Sequence, residues 1–133
     1  MVKCYLGIGS NLGNRRRNIR LALARVNSLE TTKVVKVSRL METEPIGGPG
    51  GQGKFLNAAA EIATSLGPVL LLRKLKEIEK GLGRKKAIRY GPRQIDLDII
   101  FYGDRVINTP ALKVPHPKAF DRGFVIEPLL EIL

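Results

Sequence analysis

Two rhythms of apolar and polar residues alternate along this chain. Between Lys3 and Ile8 a short apolar run gives way to Gly7, Gly9, Ser10, Asn11, Gly13 and Asn14, the pattern of a strand running into a turn. From Asn14, a side chain suited to capping a helix, Ile19, Ala22, Leu23, Val26 and Leu29 recur at offsets of three and four and so share one helical face. Arg15, Arg16, Arg17, Arg20 and Arg25 fall mostly on the other face. Thr32 to Met41 is valine-rich and reads as a second strand, while Glu44 to Gly53 is dominated by glycine and proline and reads as a loop. Phe55 to Thr64 contains the run Ala58-Ala59-Ala60, which favours helix, but its short length and flanking breakers fit a buried strand. Pro68 stands where a first helical turn tolerates proline, and Leu71, Leu72, Leu75, Ile78 and Leu82 follow at helical spacing until Gly81 and Gly83 end the segment. Beyond a basic connection, Ile95 to Tyr102 is a strand, Gly103-Asp104 a turn into Val106 and Ile107, and the remainder a proline-rich tail.

Strand, helix, strand, strand, helix, strand is the order of an α+β, ferredoxin-like βαββαβ fold. It predicts an antiparallel sheet with two helices on one face, plus a C-terminal hairpin or tail. The breaker-rich segments 9–14, 44–54 and 83–94 are where function is expected. A length of 133 residues with 44% hydrophobic content suits one domain spanning 1–133. No apolar run reaches the length of a membrane span, no basic-then-apolar leader is visible, and the lone Cys4 cannot form an intramolecular disulfide. The expectation is a soluble, cytoplasmic chain without membrane contact. Lys and Arg outnumber Asp and Glu by 23 to 12, a net charge of +11, so the surface attracts anions. Nucleotide phosphates, nucleic acid and anionic lipid all satisfy that condition.

Asp96-Leu97-Asp98 is the most informative tripeptide. On a strand both carboxylates share one face, while Ile95, Leu97 and Ile99 take the other and can enter the core. Two like charges so close persist when cations neutralise them or when both are solvated. A magnesium ion, which takes one or two carboxylates together with substrate phosphates, satisfies the first condition, and a solvated face paired with arginines the second. Arg84, Lys85, Lys86, Arg89 and Arg93 place five cations in ten residues just upstream, which favours a clamp closing over a triphosphate whose far side is held by metal. Gly7 to Gly13 fits neither Gly-x-Gly-x-x-Gly nor a P-loop and reads as a tight strand-to-helix turn, in preference to a polar loop beside a substrate mouth. His116, between two prolines, serves either a surface structural role or a nucleotide contact. Asn57, inside an apolar strand, is satisfied by backbone or reads a heterocycle. Phe55 and Phe124 belong to the core or sandwich a flat ring.

The run Arg89-Tyr90-Gly91-Pro92-Arg93-Gln94-Ile95-Asp96-Leu97-Asp98-Ile99-Ile100 closely resembles the signature of the 6-hydroxymethyl-7,8-dihydropterin pyrophosphokinases. The resemblance extends through Gly7-Ile8-Gly9-Ser10-Asn11-Leu12, Phe55-Leu56-Asn57-Ala58-Ala59, Val114-Pro115-His116 and Arg122-Gly123-Phe124. It implies a Mg-dependent diphosphotransferase of folate biosynthesis. Such an enzyme moves the β,γ-pyrophosphoryl group of ATP to 6-hydroxymethyl-7,8-dihydropterin and releases AMP. By the same resemblance, Asp96 and Asp98 would ligate two Mg²⁺ ions, and Arg84 and Arg93 would steady the polyphosphate. Glu79, Lys85, Lys86, His116 and Arg122 would serve ATP. Thr43, Ile46, Phe55, Asn57, Tyr90 and Phe124 would line the pterin pocket. Tyr90 stands where some family members carry tryptophan, and Pro117 where others carry an aromatic residue.

Two other readings compete. A basic ferredoxin-like module that binds RNA needs exposed aromatics as a stacking platform, and three Tyr, four Phe and no Trp do not furnish one. A non-catalytic ligand-sensing domain would leave the aspartates structural. The partners expected are ATP and the dihydropterin, without nucleic acid, in a monomer or weak homodimer.

Overall fold

A computed structural model describes residues 1–44, 53–83, 94–117, 119 and 123–133, with only the backbone at 123 and 124. In chain order the elements are β1 (Val2–Ser10), α1 (Arg15–Asn27), β2 (Thr32–Val37), β3 (Met41–Thr43), β4 (Phe55–Thr64) and α2 (Pro68–Gly81). They continue with β5 (Asp96–Tyr102), β6 (Ile107–Asn108), β7 (Lys113–Val114) and α3 (Gly123–Ile132). The main sheet runs β2-β4-β1-β5 with β3 also paired to β4, and every pairing is antiparallel.

β4 organises the sheet. One of its edges pairs along its whole length with β1, and the other is shared by β2 at Ala60–Thr64 and β3 at Phe55–Asn57. The single strand expected over Thr32 to Met41 is therefore two strands. The register shifts between Val34 and Lys36, and then Ser38 enters the ladder with its side chain. Its backbone N–H donates to the Ala59 carbonyl at 2.9 Å, while its hydroxyl accepts from the Ala59 N–H at 2.9 Å. A hydroxyl standing in for a backbone acceptor lets the chain leave the sheet at Ser38 and rejoin it at Met41.

Both helices expected from periodicity form, and for the expected reasons. Asn14 caps α1, its Oδ1 accepting the Arg17 N–H at 3.1 Å, and Pro68 occupies the first turn of α2. Ile19, Ala22 and Val26 of α1 and Leu71, Leu75 and Ile78 of α2 pack on Cys4, Leu6, Ile8, Leu56, Ala60, Ile62, Leu97 and Ile99 of the sheet. Each helix also reaches a terminal strand. Asn27 of α1 accepts the Val34 N–H of β2 at 2.8 Å, and Glu79 of α2 accepts the Leu97 N–H of β5 at 2.8 Å.

The opposite face corrects the sequence reading. Beyond the small β6–β7 hairpin, the expected tail forms a third helix, α3, so helices lie on both faces. Leu129 and Ile132 of α3 pack with Ala59, Ile100, Tyr5 and Phe101 in a second apolar cluster. Pro128 inside the helix is the breaker that hid it, since Val125, Leu129 and Ile132 do carry helical spacing. The Gly103-Asp104 turn is as expected: Gly103 adopts φ +56° and donates its N–H to the Lys3 carbonyl at 2.8 Å. Among the described residues no helix is long and apolar enough to cross a membrane.

Cys4 is sealed in this core, and burial pushes its thiol up to about 11, against a partial lowering by a hydrogen bond from the Gly103 backbone. Because the thiolate is the reactive form, the native protein is expected to resist an aromatic disulfide reagent at about pH 8 and to label fully on unfolding. Rapid labelling of the folded chain would contradict this burial. The folded state holds that proton more tightly than the unfolded chain, whose thiol titrates near 9.0. The associated stability is thus intact below pH 9.0 and is lost as pH rises through about 11.

Candidate active site

The sheet face away from α1 and α2 divides in two. α3 covers the part built from Tyr5, Ala59, Ile100 and Phe101. The other part carries Thr43, Phe55, Asn57, Gly7, Gly9, Asp96 and Asp98, placed there by alternation along β1, β3, β4 and β5. Register aligns Met41, Asn57, Gly9 and Asp96 in one row across four strands, and Ala59, Gly7 and Asp98 in the next. The two carboxylates do share a face, with Leu97 and Ile99 in the core beneath.

Glycine at the middle of both rows leaves a trough. Strands two apart are separated by about 10 Å, so the side chains of Asn57 and Asp96 face each other across a floor that has no Cβ. At Gly9 a Cβ would lie 3.0 Å from Asn57 Oδ1 and 3.5 Å from the Phe55 ring, whereas at Gly7 it would meet Ile100 Cδ1 at an ordinary 3.4 Å. Gly9 therefore keeps the space beside Asn57 and Phe55 open, a close-approach requirement within a strand.

Asn57 is 6% exposed, and its amide nitrogen donates to Thr43 Oγ1 at 2.6 Å. The partner is a side chain of β3 and not the backbone, and the bond turns Oδ1 toward Gly9. The strand-to-helix turn at 9–14 is held by polar side chains. Asn18 donates to Ser10 Oγ at 3.3 Å and to the Leu12 carbonyl at 2.9 Å, and Asn11 donates to the Gly53 carbonyl at 3.2 Å. Arg15 ties the Lys54 carbonyl and Glu42 together, both at 2.9 Å. Asn11 and Arg15 thus fix both flanks of the segment before β4. The sequence marked neither as a site residue; Asn11 stood in the turn motif and the family-like run around it, and Arg15 in an arginine run.

Around the outer edge of β5 lies a cleft of about 180 Å³ lined by Leu72, Lys76, Asp98, Leu112, Lys113 and His116. His116 is anchored by its backbone N–H, which donates to the Ile100 carbonyl at 3.0 Å. Glu79, expected among nucleotide ligands, is 2% exposed and sits under this edge. Its Oε2 accepts the N–H of Leu97, the residue between the aspartates, and its Oε1 lies 3.5 Å from Lys76 Nζ. Leu112 and Lys113 escaped the sequence reading because the β6–β7 hairpin, with two residues per strand, gives almost no periodic signal, and Leu72 and Lys76 of α2 were not marked as site residues because only the hairpin folded beside them makes the cleft. Thr109 closes the hairpin, its N–H donating to the Leu112 carbonyl and its Oγ1 accepting the Leu112 N–H, both at 3.0 Å.

The structure thus brings together Asp96, Asp98, Asn57, Thr43 and Phe55 on the face, and His116 and Glu79 at the adjoining edge. Ile46, Arg84, Lys85, Lys86, Tyr90, Arg93 and Arg122 lie outside the described residues, as does the side chain of Phe124.

Residues 5–133 match the family of 7,8-dihydro-6-hydroxymethylpterin-pyrophosphokinase (HPPK). The chain is 44% identical over 128 residues to a 2-amino-4-hydroxy-6-hydroxymethyldihydropteridine pyrophosphokinase of Bacillus subtilis, covering 96% of this chain and 76% of that protein. Identity to the enzyme of the same name from Aquifex aeolicus is 45% over 132 residues, 99% of this chain and 81% of the other. The folic acid synthesis protein fol1 of Pneumocystis carinii is 48% identical over 128 residues, 96% of this chain but only 17% of that much longer protein. A solved HPPK-DHPS in complex with substrates superposes with a TM-score of 0.71 over 98% of this chain and 40% of that one, at 13% identity, a likeness of fold alone. With the match running from β1 to α3, this chain belongs to the HPPK family, whose reaction is pyrophosphoryl transfer to 6-hydroxymethyl-7,8-dihydropterin in folate biosynthesis.

Proposed function

We propose that the glycine-floored face holds the pterin and that the β5 cleft holds ATP, with Asp96 and Asp98 between them. The observation that carries this reading is the row Asn57, Gly9, Asp96, which sets a hydrogen-bonding amide and a carboxylate on either side of a floor without side chains. The order β2-β4-β1-β5 reads as the ferredoxin-like arrangement of a single domain, acting in the cytoplasm as a monomer or weak homodimer without nucleic acid or membrane.

Two carboxylates side by side suit magnesium, which completes its shell with water and phosphate oxygens and does not need a full protein cage. Asp96 and Asp98 would hold two such ions. When bound, magnesium supplies neutralisation of the polyphosphate charge, which lowers the cost of bringing an oxygen to the β-phosphorus. Thr43, Phe55 and Asn57, with Ile46, Tyr90 and Phe124, orient the pterin, Asn57 Oδ1 facing the ring edge and the aromatic side chains its faces. Its 6-hydroxymethyl oxygen bonds to the β-phosphorus as the bond from that phosphorus to the α,β-bridging oxygen breaks; AMP leaves, and the hydroxyl proton is released. Arg84 and Arg93 steady the polyphosphate, and Lys85, Lys86, His116 and Arg122 hold the nucleotide. Glu79 works through the Leu97 N–H, fixing the strand that carries both aspartates.

Nucleotide analysis after incubation with Mg-ATP and 6-hydroxymethyl-7,8-dihydropterin is expected to give AMP and the pterin diphosphate. Asp98→Ala lowers turnover at least about a hundredfold with the fold retained by circular dichroism. Formation of ADP, or an unimpaired Asp98→Ala variant, would sink the assignment. Removal of magnesium with a chelator is expected to stop turnover, and its addition to restore it. Gly9→Ala raises the pterin KM roughly tenfold while the ATP KM stays near wild type, because the new methyl pushes on Asn57 and Phe55. Gly7→Ala, facing only Ile100, stays near wild type in both, and equal behaviour of the two variants would count against a pterin lying over Gly9.

A further inference from the structure

We infer that Glu131, remote from the reacting groups, is a positioning residue for the pterin side of the site. It acts through the backbone of the β2–β3 link. The inference rests on the assignment of Asn57 and Thr43 to pterin binding.

Glu131 lies in the last turn of α3 and makes two contacts with one residue. Its Oε1 accepts the Arg39 backbone N–H at 3.0 Å, and its Oε2 lies 3.5 Å from Arg39 Nε. The Arg39 side chain is 77% exposed, so solvent screens the ion pair and the backbone bond dominates. That bond falls where the chain has left the β4 ladder. Ser38 is buried and spends its hydroxyl on the Ala59 N–H and on the Arg39 carbonyl, each at 2.9 Å. With Ser38 and Glu131 on either side, Arg39 has both backbone groups engaged, and the link has one conformation in which to re-enter the sheet.

Two residues further on the chain becomes β3, where Met41 pairs with Asn57 and Thr43 with Phe55. Thr43 then accepts the Asn57 amide at 2.6 Å. A continuous path therefore joins Glu131 to Asn57: carboxylate to the Arg39 N–H, short link to β3, Thr43 hydroxyl to the amide. The same anchor seats the C-terminal end of α3, whose first turn contains Phe124. The helix is also packed through Leu129 and Ile132, so loss of Glu131 is expected to loosen the link to β3 more than the helix itself. The proposed nucleotide cleft draws on α2, β5 and the hairpin, whereas among the described residues the polar contacts of Glu131 are both to Arg39.

The test is steady-state kinetics on Glu131→Ala, Glu131→Gln, Arg39→Ala and Asn57→Ala, each well below its melting temperature. Glu131→Ala raises the pterin KM roughly fivefold, with kcat and the ATP KM within about twofold of wild type. Glu131→Gln, whose amide oxygen still accepts the Arg39 N–H, restores the pterin KM, and Arg39→Ala leaves it unchanged. A Glu131→Ala variant that melts earlier but keeps a normal pterin KM, while Asn57→Ala raises it, overturns this inference alone. An unchanged KM in Asn57→Ala overturns the pterin-site assignment and this inference with it. Glu131→Gln and Arg39→Ala both matching Glu131→Ala would place the effect in the exposed ion pair and overturn the backbone path.

Discussion

The register of β5 against β1 is the constraint on which the rest depends. Side chains alternate on a strand, so pairing Gly9 with Asp96 and Gly7 with Asp98 sends both carboxylates to one face and Leu97 and Ile99 into the core. A slip of one residue would exchange the two sets, burying charge and exposing the apolar residues. Several kcal/mol of desolvation for each buried carboxylate stand against that alternative. Glu79 adds a local lock, since its bond to the Leu97 N–H lies at the residue between the aspartates. The proposed chemistry and the folding thus draw on the same alternation, and the two carboxylates need no special backbone to share a face.

That economy explains why so much was legible. The range of β4 follows from its length and flanking breakers, and those of α2 and β5 from apolar spacing with Pro68, Gly81 and Gly103, because each of these signals acts locally and agrees with the tertiary packing. The Asp-x-Asp face could be read for the same reason. What could not be read depends on contacts between distant segments. The break between β2 and β3 comes from Ser38 meeting Ala59, 21 positions away. α3 carries Pro128, a local signal against helix that the apolar cluster with Ala59 and Ile100 overrides. The β5 cleft exists only because a hairpin too short to show a period folds beside α2. Glu79 was marked by resemblance as a nucleotide residue, and its bond to the β5 backbone becomes visible only in three dimensions.

The two sheet faces are specialised to different degrees. The α1–α2 face is mostly apolar, with Ser10 and the hydrogen-bonded Thr32–Thr64 pair buried at its ends, while the other is shared between a small apolar cluster under α3 and the polar site. Tyr5 closes the side of the cluster away from the site: it packs edge-on against Phe101, with ring centroids 6.2 Å apart, and donates its hydroxyl to Glu61 at 3.1 Å. Burial and the neighbouring Glu61 both raise its pKa, so the phenol stays protonated and the donor role is secure at neutral pH. Covering half a face with one helix leaves the other half open to ligand without exposing a large apolar surface.

The side chains that α1 and α2 extend to the terminal strands bear on association between copies of the chain. A terminal strand presents a row of hydrogen-bonding groups that can template another strand. Here Asn27 occupies one such position on β2 and Glu79 one on β5, so each end of the sheet has a backbone donor already taken by its own helix. Lys33 and Lys36 add like charge along β2, where Val35 and Val37 are exposed. A second molecule adding a strand to β2 would have to break the Asn27 bond and bring lysines together.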